Sequence, residues 1–295
     1  MRLLIVGASG QIGGHLLSQA SDAGHLAVGT WNGFQRPGLV KLDLDDDAAL
    51  AAAVRDVRPD AVVLSAGWTW VDGNEDDPAR ARRLNRDQPL ALCRLARQVG
   101  ARFVTYSTDY VFDGQAGPYA EDDPTAPLSV YGRAKLEAEE AIRAETPDHL
   151  LLRTTTVFGP EAQGKNFVYQ LVKRLRQGQP MQVPVDQWAS PSYGPDVAAA
   201  TLALIERGAS GTWHVAGPDQ LDRAAFARLA CRVFGLDERL VEGKTTAELR
   251  QKAARPLRGG LRTDKLRAAG IALRDTAAGL AAMKAEIEAG RAAAP

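Results

Sequence analysis

Directly behind the apolar run Leu3-Leu4-Ile5-Val6 the chain reads Gly7-Ala8-Ser9-Gly10-Gln11-Ile12-Gly13, and a stretch with helical spacing begins there. No other feature limits the fold so tightly. Gly7 permits a tight turn out of a strand, Gly10 lets a pyrophosphate come close to the backbone, and Gly13 lets helix and strand pack together. The free N–H groups and the dipole at the start of the helix favour negative phosphates. Glycine trios also serve ordinary turns, so the weight lies in the placement between a terminal strand and a helix. That placement makes Gly7, Ser9, Gly10, Gln11, Ile12 and Gly13 the candidate dinucleotide-binding turn.

The first half of the chain keeps the rhythm such a turn requires. Apolar runs at Leu3–Val6, Leu26–Thr30, Val40–Leu42, Ala61–Ser65, Arg102–Ser107 and Leu150–Thr155 alternate with helical patterns at Gln11–Ala23, Asp47–Val57, Ala79–Val99 and Val130–Ala144. Most of the strands are unbroken apolar runs, as parallel strands covered on both faces should be. The expected fold class is α/β, a Rossmann-type doubly wound parallel sheet.

Beyond Phe158 the rhythm changes. Asn166–Arg176, Pro195–Glu206 and Leu221–Phe234 read as helices and Leu261–Ala269 as a short segment, with Gly178–Gly194 punctuated by glycine and proline. This predicts a smaller C-terminal substrate-binding lobe interleaved with the end of the first domain. Residues 1–160 form the nucleotide-binding domain, completed by about 195–215, and 161–194 with 216–295 form the lobe. The alanine-rich end through Pro295 reads as a helix with a frayed tail.

Composition matters for what it excludes. Of 295 residues, 45% are hydrophobic and 24% charged, enough for a core of useful size. Lys plus Arg and Asp plus Glu both total 36, so no net charge calls for nucleic acid or an anionic membrane surface. No stretch approaches the roughly 20 apolar residues that span a bilayer, and the N-terminal run is too short for a signal peptide. Cys93 and Cys231 lack metal-ligand or CxxC spacing and read as reduced core residues of a cytoplasmic protein. His15, His25, His149 and His214 form no cluster, and no metal site is expected.

The nucleotide can be narrowed. An NAD enzyme often ends its second strand with a carboxylate for the ribose 2′-hydroxyl, but here the chain reads Gly29-Thr30-Trp31-Asn32-Gly33-Phe34-Gln35-Arg36. Arg36 could neutralise a 2′-phosphate, which favours NADP(H) and leaves NAD(H) as the other option. An Arg on a solvated loop is the plain reading of the same residue. Asn32, then Asp43 and Leu44 after the third strand, are candidates to meet the cofactor's adenosine. Ala66-Gly67-Trp68 after the fourth strand, and Asn85, are further cofactor candidates. Asp45-Asp46-Asp47 reads as the solvated start of a helix, where negative charge suits the dipole.

Tyr131-Gly132-Arg133-Ala134-Lys135 puts a phenol and an ammonium on one helix face. A free tyrosine pKa near about 10 is too high for easy proton exchange at neutral pH. A neighbouring ammonium favours the phenolate and should pull that value down. Tyr-xxx-Lys is common by itself, usually a surface Lys beside a half-buried Tyr. Here it follows Ser107-Thr108, hydroxyls at the C-terminal end of a strand, where doubly wound folds place ligands.

With GASGQIG, the LNRDQPLALC segment around Asn85, STDYVFDG (107–114), PLSVYGRAKLEAE (127–139) and KNF (165–167), the chain resembles the extended short-chain dehydrogenases, and within them the dTDP-4-dehydrorhamnose reductase group. DQWASPSYGPDVA (186–198) and RPLRGGLRTDKL (255–266) carry the likeness into the second lobe. The resemblance implies hydride transfer from a nicotinamide to the C4 carbonyl of a nucleotide-linked 4-keto-6-deoxy sugar. It implies that Tyr131 supplies the proton, Thr108 bonds the same oxygen, and Lys135 lowers the tyrosine pKa and holds the cofactor ribose. It also maps Asn166, Gln187 and Arg255 onto positions that contact sugar and pyrophosphate. Ordinary loop polars are the plain alternative for those three.

Two departures stand out. Where the family's strand end reads RTSWVY this chain has Arg153-Thr154-Thr155-Thr156-Val157-Phe158, so Thr156 replaces a substrate-facing Trp. Trp68, Trp70 and Trp188 are the rings left to line the pocket, although core packing is the plainer role for the first two. A carboxylate-rich helix face used by some reductases for metal-bridged pairing is absent, which leaves the oligomeric state open, a homodimer being one option. Among rivals, a dehydratase needs Thr-Asp-Glu where this chain has Thr108-Asp109-Tyr110. A sugar-nucleotide 4-epimerase uses the same Thr, Tyr and Lys. A cofactor-binding regulatory subunit resembling that of methionine adenosyltransferase shares the VFDG and PLxxYGxxK pattern.

Overall fold

Along the first strand Leu3 and Ile5 enter one core cluster and Leu4 and Val6 another, and all four are buried. Successive side chains of a strand point to opposite faces, so this strand is covered on both sides, which is why it reads as an unbroken apolar run. The computed structural model describes residues 1–293. Seven strands form the central sheet: β1 (Arg2–Val6), β2 (Leu26–Trp31), β3 (Val40–Lys41), β4 (Ala61–Leu64), β5 (Arg102–Thr108), β6 (His149–Thr154) and β7 (Gly211–His214). Their order is β7-β6-β5-β4-β1-β2-β3, and every pairing is parallel. The chain winds outward from β1 in one direction and from β4 in the other. The switch point between β1 and β4 opens the crevice in which such sheets bind ligands.

The longer helices are α1 (Gln11–Asp22), α2 (Asp47–Val57), α3 (Gln88–Gln98), α4 (Val130–Glu145), α5 (Phe167–Arg176), α6 (Gly194–Glu206), α7 (Arg223–Phe234) and α8 (Thr276–Glu288). Leu16 and Ala20 of α1 join Val197 and Leu204 of α6 on one face of the sheet. Leu50 of α2, Leu92 and Cys93 of α3 and Ile142 of α4 cover the other. Asp46 caps α2 by accepting from the Ala49 N–H at 2.9 Å, so the acidic run does open a helix. Cys93 and Cys231 are free and buried, and burial pushes their thiols up to about 12 and about 11.

A second core, with Val168 and Leu171 of α5, Phe226 and Cys231 of α7 and Leu280 and Met283 of α8, lies beyond the sheet. The chain returns from this region through α6 and β7 before entering it again. Two elements differ from the sequence reading. The expected helix Ala79–Val99 is broken into Pro78–Arg82, a π turn at Arg83–Asp87 and α3. Pro89 has no N–H for the Asn85 carbonyl, and the ladder slips to a wider register there. Leu221 and Asp222 are not helical; they pair antiparallel with Ala189 and Trp188, and α7 starts only at Arg223, capped by Asp222. The short pairs Val157–Phe158 with Ser192–Tyr193 and Met181–Pro184 with Val241–Lys244 had no sequence signal. The helix at the C-terminus ends at Glu288, and residues 294–295 of the expected tail lie outside the described residues.

Candidate active site

Gly7 leaves β1 with φ +91°, and a Cβ there would stand 2.8 Å from the Ala66 backbone nitrogen. A Cβ on Gly13 would fall 2.3 Å from Ser65 Oγ and 2.6 Å from the Gly7 carbonyl. Bare backbone at these two positions therefore lets α1 and the segment after β4 close around the switch point. Gly10 is the N-cap of α1 and offers no side chain to the first-turn N–H groups. The Gln11 side-chain nitrogen beside them is buried without a partner. An open helix start with an orphaned donor fits a dinucleotide's pyrophosphate. Ser9 and Ile12 are half-buried in the same turn, and Gln163 donates to the Ser9 carbonyl at 3.2 Å, so the segment leading into α5 touches this turn directly.

The Arg36 guanidinium lies over the first turn of α1, where a Cβ on Gly14 would meet its Nη1 at 2.9 Å. Asn32 is exposed just past β2. Asp43 is also exposed and accepts from the Asp45 N–H at 3.0 Å, while Leu44 packs on the core. Asn85, turned inward by the π turn, is buried and clamps the loop after β4. Its Oδ1 accepts from Trp68 N–H at 3.0 Å, and its Nδ2 donates to the Trp68 carbonyl at 3.0 Å and to Asn74 Oδ1 at 2.9 Å. Ala66, Gly67 and Trp68 are thus fixed at the crevice by their backbone.

That clamp turns the tryptophans outward, contrary to the core role expected of Trp68 and Trp70. Trp70 is 63% exposed, and Trp68 is half-buried under the Arg80 guanidinium, 4.7 Å from its ring. Trp188 is exposed as well.

Thr108 ends β5 opposite Thr154 of β6. Its hydroxyl accepts from the Tyr110 N–H at 3.2 Å and lies 3.3 Å from Asp109 Oδ1. Ser129 caps α4 by accepting from the Gly132 N–H at 3.1 Å, which sets Tyr131 in the first turn. A Cβ on Gly132 would lie 2.2 Å from the Tyr110 carbonyl, so the helix reaches the 108–110 turn only because that residue is glycine. Tyr131 is buried, and burial pushes its phenol well above the usual range. The Thr108 hydroxyl works against that shift; the charges of Asp109 and Tyr110 add to it.

Lys135 departs from expectation. Its Nζ donates to the Tyr106 carbonyl at 2.6 Å and is not among the groups acting on Tyr131. Desolvation pulls the ammonium down to about 8, opposed by Glu139 one turn further on. Burial therefore raises the Tyr131 phenol with no offset from Lys135, whose ammonium is held on the Tyr106 carbonyl. Glu139 is itself held by the buried Arg153, Nε to Oε1 at 2.9 Å and Nη2 to Oε2 at 2.7 Å.

The three second-lobe candidates are spread over different duties. Asn166 caps α5, accepting from Val168 and Tyr169 N–H groups and donating to the Gly159 carbonyl at 2.8 Å. Gln187 donates to Thr246 Oγ1 at 2.9 Å and Gln251 Oε1 at 2.6 Å. Arg255 reaches the crevice: its guanidinium faces the Tyr110 side chain and is gripped by Asp72, Nη1 to Oδ1 at 2.9 Å and Nη2 to Oδ2 at 3.0 Å. Asp109 is buried, its carboxyl raised by desolvation, and accepts from the Gly260 N–H at 3.1 Å. Thr156, in the place of the family's Trp, has φ +44°. A β-branched residue rarely adopts that conformation, and such strain clusters at functional sites.

A crevice at a switch point, an open glycine turn and a buried Thr–Tyr pair narrow the possible relatives, and comparison with known proteins decides among them. Residues 1–289 match the family model described as the RmlD substrate binding domain. The chain belongs to the RmlD family. The dTDP-4-dehydrorhamnose reductase of Sinorhizobium fredii is 36% identical over 282 residues, covering 90% of each chain. The probable low-salt glycan biosynthesis reductase Agl14 of Haloferax volcanii is 34% identical over 269 residues, 88% of this chain and 89% of that protein. The crystal structure of a dTDP-4-dehydrorhamnose reductase from Clostridium acetobutylicum matches with a TM-score of 0.88 and 28% identity, over 98% of this chain and 100% of the other. The enzyme of that name from Bacillus anthracis, solved in complex with NADP, matches with a TM-score of 0.87 and 25% identity, over 97% and 99%. As a member of the RmlD family the chain is an oxidoreductase of the short-chain dehydrogenase type, and a nicotinamide cofactor goes with that membership.

Within this RmlD-family site, sequence reasoning passed over Asp72, Asp109, Tyr110 and Arg223. Asp109 and Tyr110 lie inside the STDYVFDG motif and could have been marked by it. Asp72 and Arg223 carry no local signal, because their partners come from distant elements.

Proposed function

We propose that the chain is an NADPH-dependent reductase of the C4 carbonyl of a nucleotide-linked 4-keto-6-deoxy sugar, of the dTDP-4-dehydrorhamnose reductase kind. The observation that carries this reading is the buried Tyr131 phenol beside the hydroxyl of Thr108, which ends β5 at the C-terminal edge of the sheet. The bound nicotinamide supplies the hydride. Tyr131 gives its proton to the developing alkoxide, which the Thr108 hydroxyl also bonds. Lys135, lowered to about 8 and still mostly charged at neutral pH, stabilises the phenolate left behind and bonds the cofactor's ribose. The open start of α1 receives the pyrophosphate, between Gly7, Ser9, Gly10 and Gln11, with Asn85 holding Ala66–Trp68 against it. The sheet with α6 and β7 serves the cofactor, and 161–194 with 216–295 serve the sugar nucleotide, through Gln187 and Arg255 and with Asn166 fixing α5. Relatives bearing the reductase name along nearly their whole length support this reading.

Arg36 supports the choice of NADPH: its guanidinium stands beside the glycine turn, and Thr30-Trp31-Asn32 supplies no carboxylate for a ribose hydroxyl. Arg36→Ala should lower the preference for NADPH over NADH in kcat/KM by about tenfold or more. The main test is NADPH oxidation against a panel of nucleotide-linked 4-keto-6-deoxy sugars. Tyr131→Phe should reduce turnover by roughly 10²–10⁴-fold while leaving NADPH binding intact. No oxidation across the panel by a protein that binds NADPH would overturn the proposal.

A further inference from the structure

Two guanidinium groups converge on Tyr110, and only one of them is neutralised. Arg255 is gripped at both nitrogens by Asp72. Arg223, the first residue of α7, donates a single long bond of 3.4 Å from Nη2 to Thr156 Oγ1 and lies 5.0 Å over the Phe167 ring. Among the described residues no carboxylate stands within ion-pair distance of it. Asp109, the carboxyl it faces, is already bonded by the Gly260 N–H and the Thr108 hydroxyl, and its burial disfavours the charged form. A guanidinium has five N–H donors, and one that is half-buried without a counter-ion is costly unless an anion completes it.

The backbone places this cation where a substrate would pass. Arg223 N–H donates to the Gln187 carbonyl at 3.1 Å, and the two residues before it pair with Trp188 and Ala189. Its side chain reaches from there to Thr156, just past the end of β6, whose Thr154 stands opposite Thr108. Arg223 thus bridges the segment around Gln187 and the edge of the sheet that carries Thr108.

We propose that Arg223 is the cation that receives the diphosphate of the nucleotide-linked substrate, with Arg255 locked by Asp72 as a fixed wall beside it. This rests on the reading of the chain as an enzyme of nucleotide sugars, and it identifies the residue that recognises their shared anionic part. A carboxylate on the sugar is the other source of the same chemistry, and the experiment separates the two.

The test is calorimetric titration of the NADP⁺-saturated protein with dTDP, UDP, the carboxylate-bearing sugar nucleotide UDP-glucuronic acid, and thymidine, for the native chain, Arg223→Gln and Arg223→Lys. Arg223→Gln should weaken dTDP or UDP binding roughly tenfold or more, leave NADP⁺ affinity unchanged and the melting temperature no lower, and barely move thymidine. Arg223→Lys should recover part of the loss, and added salt should weaken the native chain more than the Gln variant. Nucleoside diphosphate binding that survives in Arg223→Gln within about twofold overturns the assignment and leaves the reductase reading standing. A loss seen only with the sugar-bearing nucleotide also overturns it, because Arg223 would then face the sugar. If the native chain binds no nucleoside diphosphate, both readings fail together.

Discussion

Tyr131 and Lys135 lie one helical turn apart, yet burial moves them in opposite senses: the phenol is raised and the ammonium is lowered to about 8. In both cases the neutral form gains, which is what removal from water does to any titratable group. The consequence for rate has a definite sign. As pH rises through about 8, Lys135 loses the charge that stabilises the developing phenolate, so kcat/KM for reduction should fall there. A pH–rate profile flat across that point would show that Lys135 does not play this part. Stability runs the other way. Because the folded pKa lies below the ordinary 10.5, the unfolded chain binds more protons from about 8 upward, and this group's contribution to stability rises over that window. Lys135→Met should therefore be nearly inactive and melt no lower than the native protein at pH 7, a trade of stability for function.

Among elements, α4 shows how one missing side chain positions a site. Gly132 lies between the two reactive residues of interest, Tyr131 and Lys135, and its Cα faces the Tyr110 carbonyl with no room for a methyl group. Gly132→Ala should push α4 off the 108–110 turn. We expect kcat to fall by about tenfold or more with NADPH affinity nearly unchanged, since small misplacements of reacting groups are costly. Steady-state kinetics beside a cofactor titration would check this, and a larger effect on cofactor binding than on kcat would contradict it. The π turn at Arg83–Asp87 works similarly, turning Asn85 inward so that one amide holds both backbone groups of Trp68. The helical periodicity of 79–99 was legible, but that register shift was not, because it depends on where Pro89 falls against a loop from another part of the chain.

At the scale of the molecule, the two cores meet near the glycine turn. Gln163 bonds the Ser9 carbonyl, and His15 Nε2 lies 2.8 Å from the Pro160 carbonyl. A ligand that orders this turn should therefore stabilise the fold on both sides of it. NADPH at about 100 times its Kd should add about 2.7 kcal/mol of stability by mass action. In a chain of this size the melting transition should rise by roughly 4–5 °C, as a single transition in calorimetry. Two separated transitions, with only the first moving, would mean that the lobes unfold independently.

Local pattern was enough to determine the parallel sheet and the glycine turn, and to bring Thr108, Tyr131 and Lys135 forward as candidates. Unbroken apolar runs, a glycine trio after a strand and a Tyr-xxx-Lys spacing are all properties of neighbours in sequence. The tertiary structure alone decided the upward shift of the Tyr131 phenol, the exposure of Trp70, and the partners of Arg255 and Arg223. Those outcomes depend on burial and on carboxylates from remote segments: Asp72 grips Arg255 across 183 positions, and among the described residues no carboxylate comes within ion-pair distance of Arg223. Sequence spacing sets which side chains share a face, whereas charge and desolvation depend on what the folded chain brings opposite that face.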